Sequence, residues 1–161
     1  MTISDYNICV DEYSDGVYRF LLKNIGDAEN ARDLVQESFM KLWIKRKEVQ
    51  PEKVKSYLFT TAYHTMIDNI RKNSRMTRME GHEHKNESVD HGYSDLKEVL
   101  DQALTRLPEI QRSVILLRDY EGYSYQEIGE ITNLNEAQVK VYIYRARVSL
   151  KKYLVSTEII L

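Results

Sequence analysis

The stretch Tyr123-Ser124-Tyr125-Gln126-Glu127-Ile128-Gly129-Glu130-Ile131-Thr132-Asn133-Leu134-Asn135-Glu136-Ala137-Gln138-Val139-Lys140-Val141-Tyr142-Ile143-Tyr144-Arg145-Ala146-Arg147, running on to Lys152, contains two helix starts. Ser124 stands three residues before Glu127, and Asn135 three before Gln138. Each pair has the composition of a capping box, in which the first side chain accepts a backbone N–H and the second reaches back. A short helix, a tight break and a second helix make a helix-turn-helix, the layout that sets its second helix in a DNA major groove. In that second helix Val139, Ile143, Ala146 and Leu150 repeat at spacings of four, three and four, so they should face inward. The opposite face then shows Ala137, Gln138, Val141, Arg145 and Val148, with Lys140 and Tyr144 on its flanks. Arg145 suits a guanine edge or a phosphate, Lys140 a phosphate, and Val141 a thymine methyl. A solvated basic helix in an ordinary bundle would share the basic face, but not the paired caps and the turn at Gly122 as well.

Outward from this motif the chain stays helical. Leu96, Val99, Leu100, Ala103, Leu104 and Leu107 form an apolar face that Pro108 breaks. Ile110, Val114 and Leu117 mark the next helix. Nearer the amino terminus, Ala31, Leu34, Val35, Phe39 and Leu42 form a buried stripe, which leaves Asp33, Gln36, Glu37, Met40 and Lys41 outward and Trp43 near the helix end. Pro51 opens a further helix through Val54, Tyr57, Leu58, Ala62, Met66 and Ile70, closed by Arg71 and Lys72. Tyr57, Phe59 and Tyr63 are spread around it beside basic residues. That combination suits single-stranded nucleic acid, where bases stack on rings and cations meet phosphates; aromatics at helical spacing are more often core.

The segment from Asn73 to Tyr93 has no helical or strand period and reads as a flexible linker. Its His82, His84 and His91 lack the four closely spaced ligands of a zinc site, so a solvated linker is expected and no metal. The chain therefore divides into an all-α pair of small domains: 1–72, a linker 73–94, a helix-turn-helix domain 95–155 and a tail 156–161.

Charge is distributed unevenly. The formal net charge of the 161 residues is −2, too acidic overall for strong autonomous DNA binding, which needs Lys and Arg to displace counterions. From Met1 to Phe39 eight acids face three bases; Arg71–Arg78 has four bases and no acid, and Val139–Lys152 five and none. The asymmetry suggests a division of labour between an acidic amino-terminal region and two basic blocks. No apolar run approaches membrane-spanning length, no export signal opens the chain, and the lone Cys9 fits a reducing cytoplasm. No paired catalytic carboxylates, nucleophile motif or phosphate-binding glycine loop is present, so neither an enzyme nor a cofactor is expected. His64 and Asp68, four apart on one helix face, read as a surface or interface pair rather than an acid–base pair.

Three blocks in order carry a resemblance to one family: Asp27–Glu29 through Asp33–Trp43; Ser56–Phe59 through Ile67–Lys72; and a third that opens with Leu107–Glu109 and Val114–Leu117 and is completed by Glu121–Ile128 and Tyr144–Arg147. Together they resemble the bacterial sigma factors of the extracytoplasmic-function class across nearly the whole chain. The resemblance implies a factor that binds core RNA polymerase, at its clamp coiled coil and flap, and directs it to promoter DNA. It implies that Asp33, Gln36, Glu37, Met40 and Trp43 dock on polymerase. Tyr57, Phe59, His64, Asp68, Arg71 and Lys72 would engage the melting −10 element, where a base is flipped out and held. Gln138, Lys140, Val141, Tyr144, Arg145 and Arg147 would read the −35 element. The family often works with an anti-sigma factor, commonly membrane-bound. The chain departs from the family at His64, Gln138 and Val141–Ile143, which bears on the promoter sequence rather than on the role. The rival reading is a stand-alone helix-turn-helix regulator, which would leave the amino-terminal helices without a task.

Overall fold

The computed structural model describes residues 1–80 and 95–157, and among these every regular element is helical. The chain divides into two compact units. The first holds α1 (Ile3–Ile25), α2 (Ala28–Lys45) and α3 (Val54–Glu80), which pack on one another; a 3-10 turn over Pro51–Lys53 leads into α3. The second holds α4 (Asp95–Thr105), α5 (Glu109–Ile115), a π-helical turn over Leu116–Tyr120, α6 (Tyr125–Thr132) and α7 (Glu136–Ser156). Helices α4, α5 and α6 all pack against α7.

Local chemistry sets the ends of these helices. Thr2 and Asp5 form a capping box at α1, and Gly26 ends it in the left-handed conformation. The Asp27 side chain accepts the Asn30 N–H and starts α2. Helix α3 runs to Glu80, eight residues beyond the end expected at Lys72. The apolar stripe does end near Ile70, but no Pro or Gly interrupts 71–80, and helical hydrogen bonding does not need an apolar stripe to continue. Thr77 Oγ1 donates to Asn73 O along this extension. The linker histidines lie outside the described residues.

In the first unit Val17, Phe20, Leu21, Leu34, Leu42, Leu58, Ala62 and Met66 are buried from three helices. Three buried polar side chains there and in the second unit satisfy themselves within their own helix: Asn24 Nδ2 donates to Phe20 O, Ser38 Oγ to Leu34 O and Thr132 Oγ1 to Ile128 O. In the second unit five consecutive residues, Ser113–Leu117, are buried, so this segment is surrounded on all sides. Ala103, Leu104, Leu107, Tyr123, Ile128, Ile131, Val139, Ile143 and Ala146 complete that core, whereas Leu96, expected inside, is 49% exposed at the first turn of α4.

The break between α6 and α7 is built by close approach. Asn133 takes the left-handed conformation at φ 60° and the Leu134 N–H donates back to Gly129 O. This folds Leu134 over Gly129 so tightly that a Cβ there would lie 2.6 Å from Leu134 O. A small residue at 129 is thus a condition of the turn.

Candidate nucleic-acid and partner interfaces

Helix α7 is held by its inward residues and presents the rest. Val139, Ile143 and Ala146 are buried and Leu150 half-buried, in the expected register. Ala137, Gln138, Lys140, Val141, Tyr144 and Arg145 are exposed, Tyr144 to 69%. Val148, expected outward, is half-buried. A shallow concavity on this face is lined by Asn135, Ala137, Gln138, Val141, Tyr142 and Arg145. Arg145 has no carboxylate partner among the described residues and is free to meet an external acceptor.

Two expected contact residues are already engaged. Gln138 N–H donates to Asn135 Oδ1 at 2.8 Å, and Gln138 Oε1 accepts the Asn135 N–H at 3.0 Å. Gln138 therefore offers only its amide N–H2 outward, and a bidentate adenine contact would break the cap. Arg147 Nη2 donates to Asp119 Oδ1 at 2.8 Å, tying α7 to the π-helical turn. This hydrogen bond holds the Arg147 guanidinium further in its charged form. Arg147 is thus a strut within the unit as well as an expected DNA contact, a pairing that spacing does not reveal because Asp119 lies 28 residues away in sequence.

In the first unit the exposed face of α3 carries His64, Asp68, Arg71, Lys72 and Arg75 in one stripe. Arg75 belongs to the helical extension, within the acid-free basic block. Tyr57 is half-buried. Phe59 corrects an expectation: it is 1% exposed and meets Phe20 edge-on, ring centroids 5.8 Å apart. It belongs to the core and offers no face to a base. Tyr63 is buried as well, with the His64 ring against it at 5.4 Å. No hydrogen bond or ion pair joins His64 to Asp68. Among the described residues no cluster of three or more His, Cys, Asp or Glu side chains is placed to hold a metal ion, and no helix is long and apolar enough to cross a membrane.

On α2, Asp33, Gln36, Glu37 and Met40 are exposed along one line, extended by Ile44 at 67% exposure. Ile44 lies one turn beyond Met40 on this line, and both are uncovered apolar side chains. Trp43 is half-buried, its ring 4.9 Å from Tyr6 and capped by the Arg46 guanidinium at 3.9 Å. Lys41 Nζ donates to the buried Thr65 Oγ1 on α3 at 2.9 Å and pairs with Glu37 at 3.5 Å. The face places carboxylates beside uncovered apolar side chains.

Comparison with known proteins agrees with this layout. Residues 9–76 match the family model for sigma-70 region 2, and residues 97–150 that for sigma-70, region 4. The chain is 33% identical over 144 residues to the ECF RNA polymerase sigma factor SigM of Bacillus subtilis, covering 86% of this chain and 88% of that protein. It is 29% identical over 161 residues to SigW of the same organism, covering 90% and 86%. Among solved structures, the sigma factor RpoE of Bartonella quintana, crystallised with the anti-sigma factor NepR, matches with a TM-score of 0.85 at 25% identity, over 94% of this chain and 98% of that one. Two helical units matched along their length in this way have one reading: the chain belongs to the extracytoplasmic-function family of RNA polymerase sigma factors.

Proposed function

We propose that the chain brings core RNA polymerase to promoters by a two-point grip. The exposed face of α7, with Val141, Tyr144, Arg145 and Lys140, reads the −35 element in the major groove. The stripe His64, Asp68, Arg71 and Lys72 on α3, with Tyr57 beside it and Arg75 continuing it, engages the −10 element as it opens. The α2 line of Asp33, Gln36, Glu37, Met40 and Ile44, with Trp43 at its edge, docks on the polymerase clamp, and the helix-turn-helix unit meets the flap. The acidic residues of that line suit a basic partner and contribute orientation and on-rate. The protein acts in the cytoplasm, without enzymatic chemistry of its own. An anti-sigma factor covering the α2 line would silence it; the Bartonella sigma factor was solved in complex with the anti-sigma factor NepR.

The observation that carries this reading is the outward face of α7. A helix packed inward by Val139, Ile143 and Ala146 leaves Val141, Tyr144 and an unpaired Arg145 in water. That set matches base edges, thymine methyls and phosphates better than it matches solvent. The test is promoter binding and transcription with and without core polymerase, using DNA selected by the reconstituted holoenzyme. Specific initiation that requires both components is expected. Tight specific duplex binding by the chain alone, with no stimulation of core enzyme, would refute the proposal.

A further inference from the structure

A chain of contacts links the turn before α6 to the recognition helix. Arg118, in the π-helical turn, donates from Nη1 to Tyr123 O at 2.9 Å. Its guanidinium lies 4.5 Å from the centre of the Tyr125 ring. Lys140 Nζ lies 5.6 Å from the centre of the same ring and 3.5 Å from Glu136 Oε1, one turn earlier on α7. Tyr125 is half-buried at the first position of α6, so its ring is fixed by the fold while its cationic neighbours are long side chains reaching from other elements. Asp119, next to Arg118, anchors Arg147 of the same helix α7.

We propose that Tyr125 is a positioning residue for promoter recognition: its ring holds the Lys140 ammonium in the place where it meets the DNA backbone. The inference rests on the proposed role of α7 at the −35 element. A free lysine loses rotamer freedom when it docks on a phosphate, and that loss weakens binding. A ring quadrupole beneath the ammonium, with Glu136 beside it, places the cation before DNA arrives. Arg118, secured by the Tyr123 carbonyl, keeps the ring in that orientation. Tyr125 thus acts through Lys140 and touches no base itself.

The test measures promoter affinity of the reconstituted holoenzyme for Y125F, Y125L and K140Q, and for Y125L/K140Q and Y125F/K140Q. Y125F keeps the ring and removes only the hydroxyl, which faces the Arg147 guanidinium already held by Asp119, so it should bind like the unsubstituted protein. Y125L keeps bulk but removes the quadrupole, and should lose about two- to five-fold, the fold-change of one exposed cation–π contact. In the K140Q background the same substitution should cause no further loss. An equal loss from Y125L in both backgrounds, or a loss from Y125F as large as from Y125L, overturns the positioning role. If K140Q alone leaves affinity unchanged, the DNA role of Lys140 fails, and the positioning role falls with it. A loss in K140Q to which Y125L simply adds defeats only the role of Tyr125.

Discussion

Phe59 gives the sharpest separation between a core residue and a strand-capturing one. The ring is 1% exposed and set against Phe20 at 5.8 Å and 61° between planes. Truncation to Ala would remove a fully buried aromatic and leave a cavity, at about 3–5 kcal/mol, including the roughly 0.5–1.5 kcal/mol of the ring pair. Against the ~5–15 kcal/mol of an ordinary domain this could unfold the first unit outright. Phe59→Leu is the better probe: it keeps most of the volume, and a loss near 2 kcal/mol is expected. In a unit of this size that lowers Tm by about 8–16 °C. The chain has one tryptophan, Trp43, and it lies in this unit between Tyr6 and Arg46. Its fluorescence therefore follows unfolding of the first unit alone. Holoenzyme formed from Phe59→Leu below its midpoint should open promoters normally. An unchanged Trp43 transition with promoter opening abolished would refute the core assignment and return Phe59 to the DNA surface. Tyr57→Leu, at a half-buried ring, should show the opposite balance, with the transition little changed and opening impaired.

Arg145→Ala should weaken promoter use by about 1–3 kcal/mol and relax selectivity at one position, as read by selection of bound DNA; a uniform loss across all sequences would make Arg145 a phosphate clamp instead. Reversing charge at both Asp33 and Glu37 should weaken core polymerase binding at low salt and progressively less as salt rises, and unchanged affinity would move the docking surface off α2. Gly122→Ala should cost about 1–2 kcal/mol of stability in the second unit, because φ is +77° and an alanine is strained there although nothing lies within 4 Å of its Cβ. An unchanged thermal transition of that unit would show that the turn relaxes without cost.

Sequence was most informative where a local rule governs the outcome. The capping boxes at Ser124 and Asn135 depend only on residues three apart, and both form with reciprocal hydrogen bonds. The inward register of α7 follows from one helical period, and Val139, Ile143 and Ala146 obey it. Val148 does not: it is half-buried at a position that the period alone leaves open. Phe59 was ambiguous for the same reason: its spacing is that of a core residue and of a stacking residue alike, and only Phe20 decides. The Asp119–Arg147 strut and the Arg118–Tyr125–Lys140 stack join elements whose proximity is tertiary. The end of α3 was misplaced because an apolar stripe reports packing, and a helix can outrun the surface it packs on.

These internal pairs bear on how much DNA affinity the helix-turn-helix unit can supply by itself. Counting Lys and Arg in Val139–Lys152 suggests a strongly basic reader, but Arg147 is bound to Asp119 and Lys140 is shared with Glu136. Exposed pairs of this kind are worth about 0–1 kcal/mol, so they do not forbid a phosphate contact, yet each lowers the net charge offered to it. With Lys140, Arg145 and one further cation engaged, about three phosphates would be neutralised, and the isolated chain should bind a −35 duplex with a log–log salt slope of about −2.7. Raising salt from 50 to 200 mM would then cost only about 40-fold, from an affinity that is weak at the outset. Arg147→Gln should leave that slope unchanged, whereas Lys140→Gln should reduce its magnitude by about one. Fluorescence anisotropy with the isolated chain across this salt range measures both. A slope of about −6 or steeper, or an Arg147→Gln slope reduced by one, would show that the internal pairs open on DNA and that the unit binds promoters on its own charge. The shallow slope would instead mean that α7 contributes sequence choice while polymerase and the second contact supply the hold.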